Sequence, residues 1–141
     1  MASYIAPILY SNTAITTALT AVVGNEFPVP ENCTSLNIQY THVDGGTGTS
    51  VTAWVQTSID DTNWVDVSCF DATATGRKVS TVNGNVTHVL AEATDGALAD
   101  NTDLDGWIGS KIRVKVTTVG TYDAVTSLVV HCKYGINGIG R

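Results

Sequence analysis

No lysine or arginine occurs before Arg77, although Glu26, Glu31, Asp44, Asp60, Asp61, Asp66 and Asp71 all fall in that stretch. Charge of either sign is scarce, 14% of the 141 residues, against roughly 25% in an average globular protein. Seven Lys plus Arg against thirteen Asp plus Glu leave a formal net charge of −6. An acidic chain repels phosphate backbones, so nucleic acid is not expected as a direct partner. Cysteine is sparse too. Cys33, Cys69 and Cys132 are widely separated and form no CxxC pair, which removes zinc-ribbon and thioredoxin-like chemistry. Their odd number leaves two readings, buried thiols acting as small apolar residues or an intersubunit disulfide. There is no GxSxG elbow, no P-loop and no GxGxxG. The apolar stretch 4–23 lacks a positive leader and is interrupted by Ser, Asn and Thr, so it reads as neither signal peptide nor membrane span. Without a secretory signal, the sequons at Asn32 and Asn85 carry little weight.

Also missing is any amphipathic helical run of a dozen residues. A two-residue period of β-branched side chains takes its place. Ile112, Val114 and Val116 alternate with Lys111, Arg113 and Lys115, which in a strand sends the two sets to opposite faces. Val51, Ala53 and Val55 share a face of a second strand, and Val65, Val67 and Cys69 are expected to share a face of a third. Between those two, residues 58–63 are turn formers, so a hairpin is expected, with Trp54 facing away from the valines and Trp64 at its shoulder. A late strand carries Leu128, Val130, Cys132 and Tyr134 on one side. Further strands are expected around 15–23, 36–42, 78–82 and 87–91, separated by Pro28, Pro30, Gly45, Gly84, Gly96 and Gly120. One all-β domain follows, an antiparallel β-sandwich, jelly roll or small barrel of about eight strands over residues 1–141. An N-terminal arm of about residues 1–12 and a Gly-rich C-terminal tail of about 135–141 are expected to need a surface to lie on.

Candidate sites are few. Asn101, Asp103 and Asp105, followed by Gly106, copy the opening of a calcium loop. The twelfth position, where a bidentate Glu belongs, is Ile112, so a solvated acidic turn is the expectation and no cofactor is called for. Lys111, Arg113 and Lys115 form a positive ladder, extended by His131 and Lys133 if the two late strands pair. It is either a solvated face, a guarded edge, or a docking stripe for an acidic partner. His42, His88 and His131 have no metal-ligand spacing, and His131 points away from the adjacent Cys132. No nucleophile–base pair is indicated, and the chain is not expected to be an enzyme. Tyr4, Ile5, Ile8 and Tyr10 in the arm, and Ile136 and Ile139 in the tail, are the candidate partner contacts.

The run 51–67 reads VTAWVQTSIDDTNWVDV. It resembles a hairpin of small virion proteins of tailed bacteriophages, the capsid decoration proteins among them, where VQTSLDG is followed by a turn and W-x-D-I or W-x-D-V. Residues 105–116 are similar to the R-V-K-V strand of the same proteins. Together they cover under half of the chain. The resemblance implies a homo-oligomer, a trimer favoured, that sits on major capsid protein or other virion subunits after assembly in the host cytoplasm, with no membrane partner. A carbohydrate-binding or host-adhesion module of the discoidin-like kind is the alternative, since an S-x-D-G-x-x-W hairpin occurs there. Trp107 and Tyr122 are its only ring candidates. The chain departs from both patterns by carrying Asp61 where glycine is usual.

Overall fold

A computed structural model describes residues 7–45, 50–86, 90, 92–120 and 126–136, and in them the protein is all β, with no helix. The strands among the described residues are β1 (Ile8–Asn12), β2 (Val22–Val23), β3 (Phe27–Pro28), β4 (Cys33–Val43), β5 (Ser50–Ser58), β6 (Val65–Ala72), β7 (Gly76–Asn83), β8 (Lys111–Val119) and β9 (Ser127–Ile136). They pair antiparallel into two sheets. Sheet I has the order β1-β9-β4-β7; sheet II has the order β2-β8-β5-β6, with β3 beside β2 on the outer side of β8. The chain crosses between sheets repeatedly, which is the connectivity of a sandwich rather than of a meander.

The alternation read from the sequence sets the core. Leu36, Ile38, Leu128, Val130 and Cys132 point in from sheet I, and Val51, Val55, Ile112, Val114 and Val116 from sheet II, all buried. Each aliphatic side chain so buried contributes about 1.5–3 kcal/mol relative to exposure. Tyr40 stacks on Phe70 across the gap, centroids 4.9 Å apart and planes within 9°. Its hydroxyl shares a 2.5 Å hydrogen bond with Ser68 Oγ, which satisfies a polar atom that burial would otherwise penalise.

Several expectations need correcting. Val65, Val67 and Cys69 do not share a face, because a bulge lies opposite Val55/Gln56. Beyond it Ser68, Phe70 and Ala72 oppose the inward residues of β5, and Cys69 opposes the outward Trp54. The late strands do not pair: β8 is in sheet II and β9 in sheet I, so His131 and Lys133 do not extend the ladder. The ladder is not on an edge either, since β8 is flanked by β5 on one side and β2 and β3 on the other. Of the strand expected at 15–23, only Val22–Val23 is regular, although Ile15 is buried. The proposed strand at 87–91 lies outside the described residues apart from Leu90. The N-terminal arm is shorter than expected, because Ile8–Asn12 is a paired strand and Leu9 is in the core. At the other end β9 runs on to Ile136, opposite Cys33.

At the hairpin tip Asp61 has φ 63°, a left-handed conformation that glycine adopts without penalty. Here the Asp61 side chain accepts a 2.7 Å hydrogen bond from Ser110 Oγ, tying the tip to the residue before β8.

Candidate functional site

The polar residues that could carry chemistry converge on the outer face of sheet II. Successive outward positions of neighbouring strands put Gln56 beside Arg113 and Trp54 beside Lys115. The irregular segment 94–98 roofs them. Asp66, wholly buried, anchors the roof. Its carboxylate accepts from the backbone N–H groups of Gly96, Ala97 and Leu98 at 2.8–3.0 Å, from Thr94 Oγ1 at 2.9 Å and from Gln56 Nε2 at 2.8 Å. Three successive backbone donors around one carboxylate make an anion nest whose anion is part of the chain. Gln56 Nε2 also donates to Asp95, and Arg113 Nε donates to Gln56 Oε1 at 2.8 Å. Lys115 Nζ lies 2.5 Å from Asp95 Oδ1. Partial burial pushes the Asp95 carboxyl up, but the hydrogen bonds from Lys115 and Gln56 and the charges of Lys115 and Arg113 outweigh it and hold it below the usual range. The Arg113 guanidinium sits 4.2 Å from the centre of the Trp64 ring, and Trp54 Nε1 donates to the Leu98 carbonyl.

The positive ladder, read as a solvated face, a guarded edge or a docking stripe, is therefore engaged inside the molecule. The side chains of Arg113 and Lys115 are only 13% and 14% exposed, and Lys111, more open, lies 3.6 Å from Glu26. Lysine, arginine, glutamine and aspartate are held in fixed geometry with their hydrogen bonds directed at one another.

The calcium-like turn has a comparable role. Asn101 Oδ1 accepts from Lys78 Nζ and the Asp71 N–H, Asp103 Oδ1 from Ser80 Oγ, and Asp105 Oδ1 from the Asn83 N–H. The three oxygens are thus taken up by four donors of β6 and β7. Backbone bonds from Asp66 to Thr94, Cys69 to Thr102 and Leu104 to Val67 run along the free edge of β6. Residues 94–105 thus cap an edge that would otherwise be open to pairing.

Cys69 and Cys132 are buried, and burial pushes both thiols up to about 12. Cys33 is half-buried; burial raises its thiol, which donates to the Ser35 carbonyl. In the folded chain neither Cys69 nor Cys132 reaches the surface an intersubunit disulfide requires. His42 is buried with Nδ1 at 3.0 Å from the Ser127 carbonyl, and His88 lies outside the described residues.

Trp107 lines a groove of about 160 Å³ with Thr57, Ile59, Val65, Leu90, Glu92, Ala93 and Leu104. The lining is largely aliphatic. Tyr122 lies outside the described residues, so no second ring joins Trp107 to make a sugar platform among those described.

Sequence reasoning missed the outer face of sheet I. Strand register places Ser11, Val129, Thr41 and Arg77 in one row across it, and Ile8, His131, Gln39 and Val79 in the next. Lys133, Asn37 and Thr81 form a third. Ile8 and Val79 are 50% and 75% exposed. His131 Nδ1, at the centre, is buried and has no hydrogen-bond partner among the described residues. None of the four strands contains Asp or Glu. The signal was available in the composition of the strands but not in any motif. Of the other candidate contacts, Tyr10 is half-buried against the core and Ile136 is 47% exposed. Tyr4, Ile5 and Ile139 lie outside the described residues.

No protein-family model matches the chain, and neither the curated proteins nor the solved structures contain a match.

Proposed function

We propose that this β-sandwich is a non-enzymatic structural subunit of a tailed-phage virion, a capsid decoration or cement protein that binds the major capsid protein lattice and stabilises the head. The observation that carries the reading is the contrast between the two sheet faces. The polar side chains capable of chemistry on sheet II are fixed against one another, while sheet I offers a broad, open, weakly charged face of the kind used for protein contact. The resemblance of residues 51–67 to the phage hairpin supports the same reading, and those residues do form the β5–β6 hairpin. Low charge, 14% of the residues, suits a subunit that spends its working life against other subunits.

The test is co-sedimentation of the purified protein with phage heads prepared without it, followed by heating of bare and decorated heads. Saturable binding and a raised temperature of head disruption are expected. Heads that neither bind nor gain stability overturn the proposal. An arm-truncation arm of the experiment removes residues 1–6 and not 1–12, because Leu9 belongs to the core.

A further inference from the structure

We infer that the outer face of sheet I is a docking site for a second copy of this chain, and that its occupant is the acidic segment 92–105 of that copy. The inference deepens the virion reading by naming the partner of one face. It is tested separately, because self-association is measured with no capsid present.

Charge selects the arrangement. The sheet I face presents Arg77 and Lys133 and no carboxylate, in a chain whose formal net charge is −6. Both cations are exposed, and among the described residues no ion pair involves Arg77. Segment 92–105 carries Glu92, Asp95, Asp100, Asp103 and Asp105 and no Lys or Arg. Its residues 94–98 lie over the outer face of sheet II, and its residues 101–105 run along the edge between β6 and β7. Within it Asp95 is paired with Lys115, and Asp103 and Asp105 hold β7. Glu92 and Asp100 are exposed, Asp100 holding only a long 3.9 Å contact from the Cys69 thiol, and they face a neighbour.

Two copies meeting acidic side to acidic side repel, and so do two sheet I faces. A sheet I face against an acidic segment attracts, and 92–105, with five carboxylates in fourteen residues and no cation, is the densest acidic run of the chain. Such a contact is heterologous: each copy donates one surface and receives on the other, so the assembly is a closed ring or an open row. The apolar centre of the face, Ile8 and Val79 around the unpartnered His131 Nδ1, would lose water on contact. Four strands about 4.8 Å apart and about eight residues long give a footprint of roughly 500 Å². That is below the about 800 Å² per partner of a standard interface. A single contact is accordingly weak, and neighbours on a lattice would reinforce it.

The experiment is sedimentation velocity of the full chain at low and high salt, with two charge-reversed variants, Arg77→Glu/Lys133→Glu and Glu92→Lys/Asp100→Lys. All four positions are exposed, and circular dichroism checks that the fold is kept. The wild type should self-associate at low salt and weaken about tenfold or more at high salt. Each variant alone should be monomeric, and an equimolar mixture of the two should associate again through the swapped charges. A wild type that is monomeric at low salt overturns the inference, as does association unchanged by both reversals. Association lost in the first variant but kept in the second also overturns it, since the occupant would then not be segment 92–105. Binding to heads by a protein that stays monomeric would sink this inference and leave the virion reading standing.

Discussion

Across sheet I the outward side chains of β1, β9, β4 and β7 lie open in rows of Ser, Thr, Val, Gln and Arg77, whereas on sheet II the equivalent positions of β5, β6 and β8 are roofed by residues 94–98. Both faces are built by the same alternation, and both carry positive side chains. They differ in what the chain does next. After β7 it returns across sheet II and covers it, bringing Asp66, Asp95 and Gln56 together with Arg113 and Lys115. No segment among the described residues makes a comparable cover over sheet I. A polar face that the chain itself completes holds the fold together; one that the described residues leave open can receive something else.

The largest expected break in this comparison is Asp66→Ala. Removing that carboxylate leaves the part-buried N–H groups of Gly96, Ala97 and Leu98 without their acceptor and takes one of its two acceptors from the Gln56 amide. Loss of about 3–5 kcal/mol in unfolding free energy is expected, the range for removing one member of a buried charged network. Arg77→Ala on the opposite face should shift stability by no more than about 0.5 kcal/mol. Urea denaturation of the two variants beside the wild type measures both. Equal losses would mean that the faces are not different in kind.

How much of this was legible differs by region for the same reason. β8 and β9 could be read because Ile112–Val114–Val116 and Leu128–Val130–Cys132 keep a strict period of two with no interruption. β6 misled because the bulge at Val67 shifts the period by one residue, so that Cys69 turns outward and Ser68 inward. β2 and β3, two residues each, are too short for any period. Positive charge on β8 was visible, but its partners come from a segment with no regular pattern, and irregular backbone leaves no periodic trace in sequence. Asp66 looked like an ordinary outward residue of a strand; that it is the pivot of the roof depends on the path of residues 94–98. The sheet I face could have been found by asking which strands lack carboxylates, a question of composition within elements.

A smaller break concerns the link between the sheets. Tyr40 on sheet I and Ser68 on sheet II share a hydrogen bond in the core, which continues through Ser80 to Asp103 at the surface. Tyr40→Phe keeps the ring stack on Phe70 and removes only the hydroxyl. A loss of about 1–2 kcal/mol is expected by urea denaturation, one buried hydrogen bond with its partner left partly satisfied. A neutral result would show that shape alone joins the sheets here.

The smallest effect sharpens the comparison most, because it depends on pH on one face and not on the other. Asp95→Asn keeps the shape but removes the charge that faces Lys115 and Arg113. Asp95 is 49% exposed in its side chain, so solvent screening should limit the loss to under about 1 kcal/mol. The folded carboxyl is held below its ordinary value, so its contribution is complete above the unfolded pKa of about 3.9. It disappears as pH falls through the lower folded value, where the folded state must also take up the proton. The stability gap between wild type and Asp95→Asn should therefore be flat from about pH 7 to pH 5 and close below about pH 4, and salt should narrow it throughout. Arg77→Ala should show no such acid limb, because none of the strands of sheet I carries a carboxylate for protons to discharge. An acid limb in Arg77→Ala, or a gap in Asp95→Asn that persists after the carboxyl is protonated, would mean that charge is not what distinguishes the two faces.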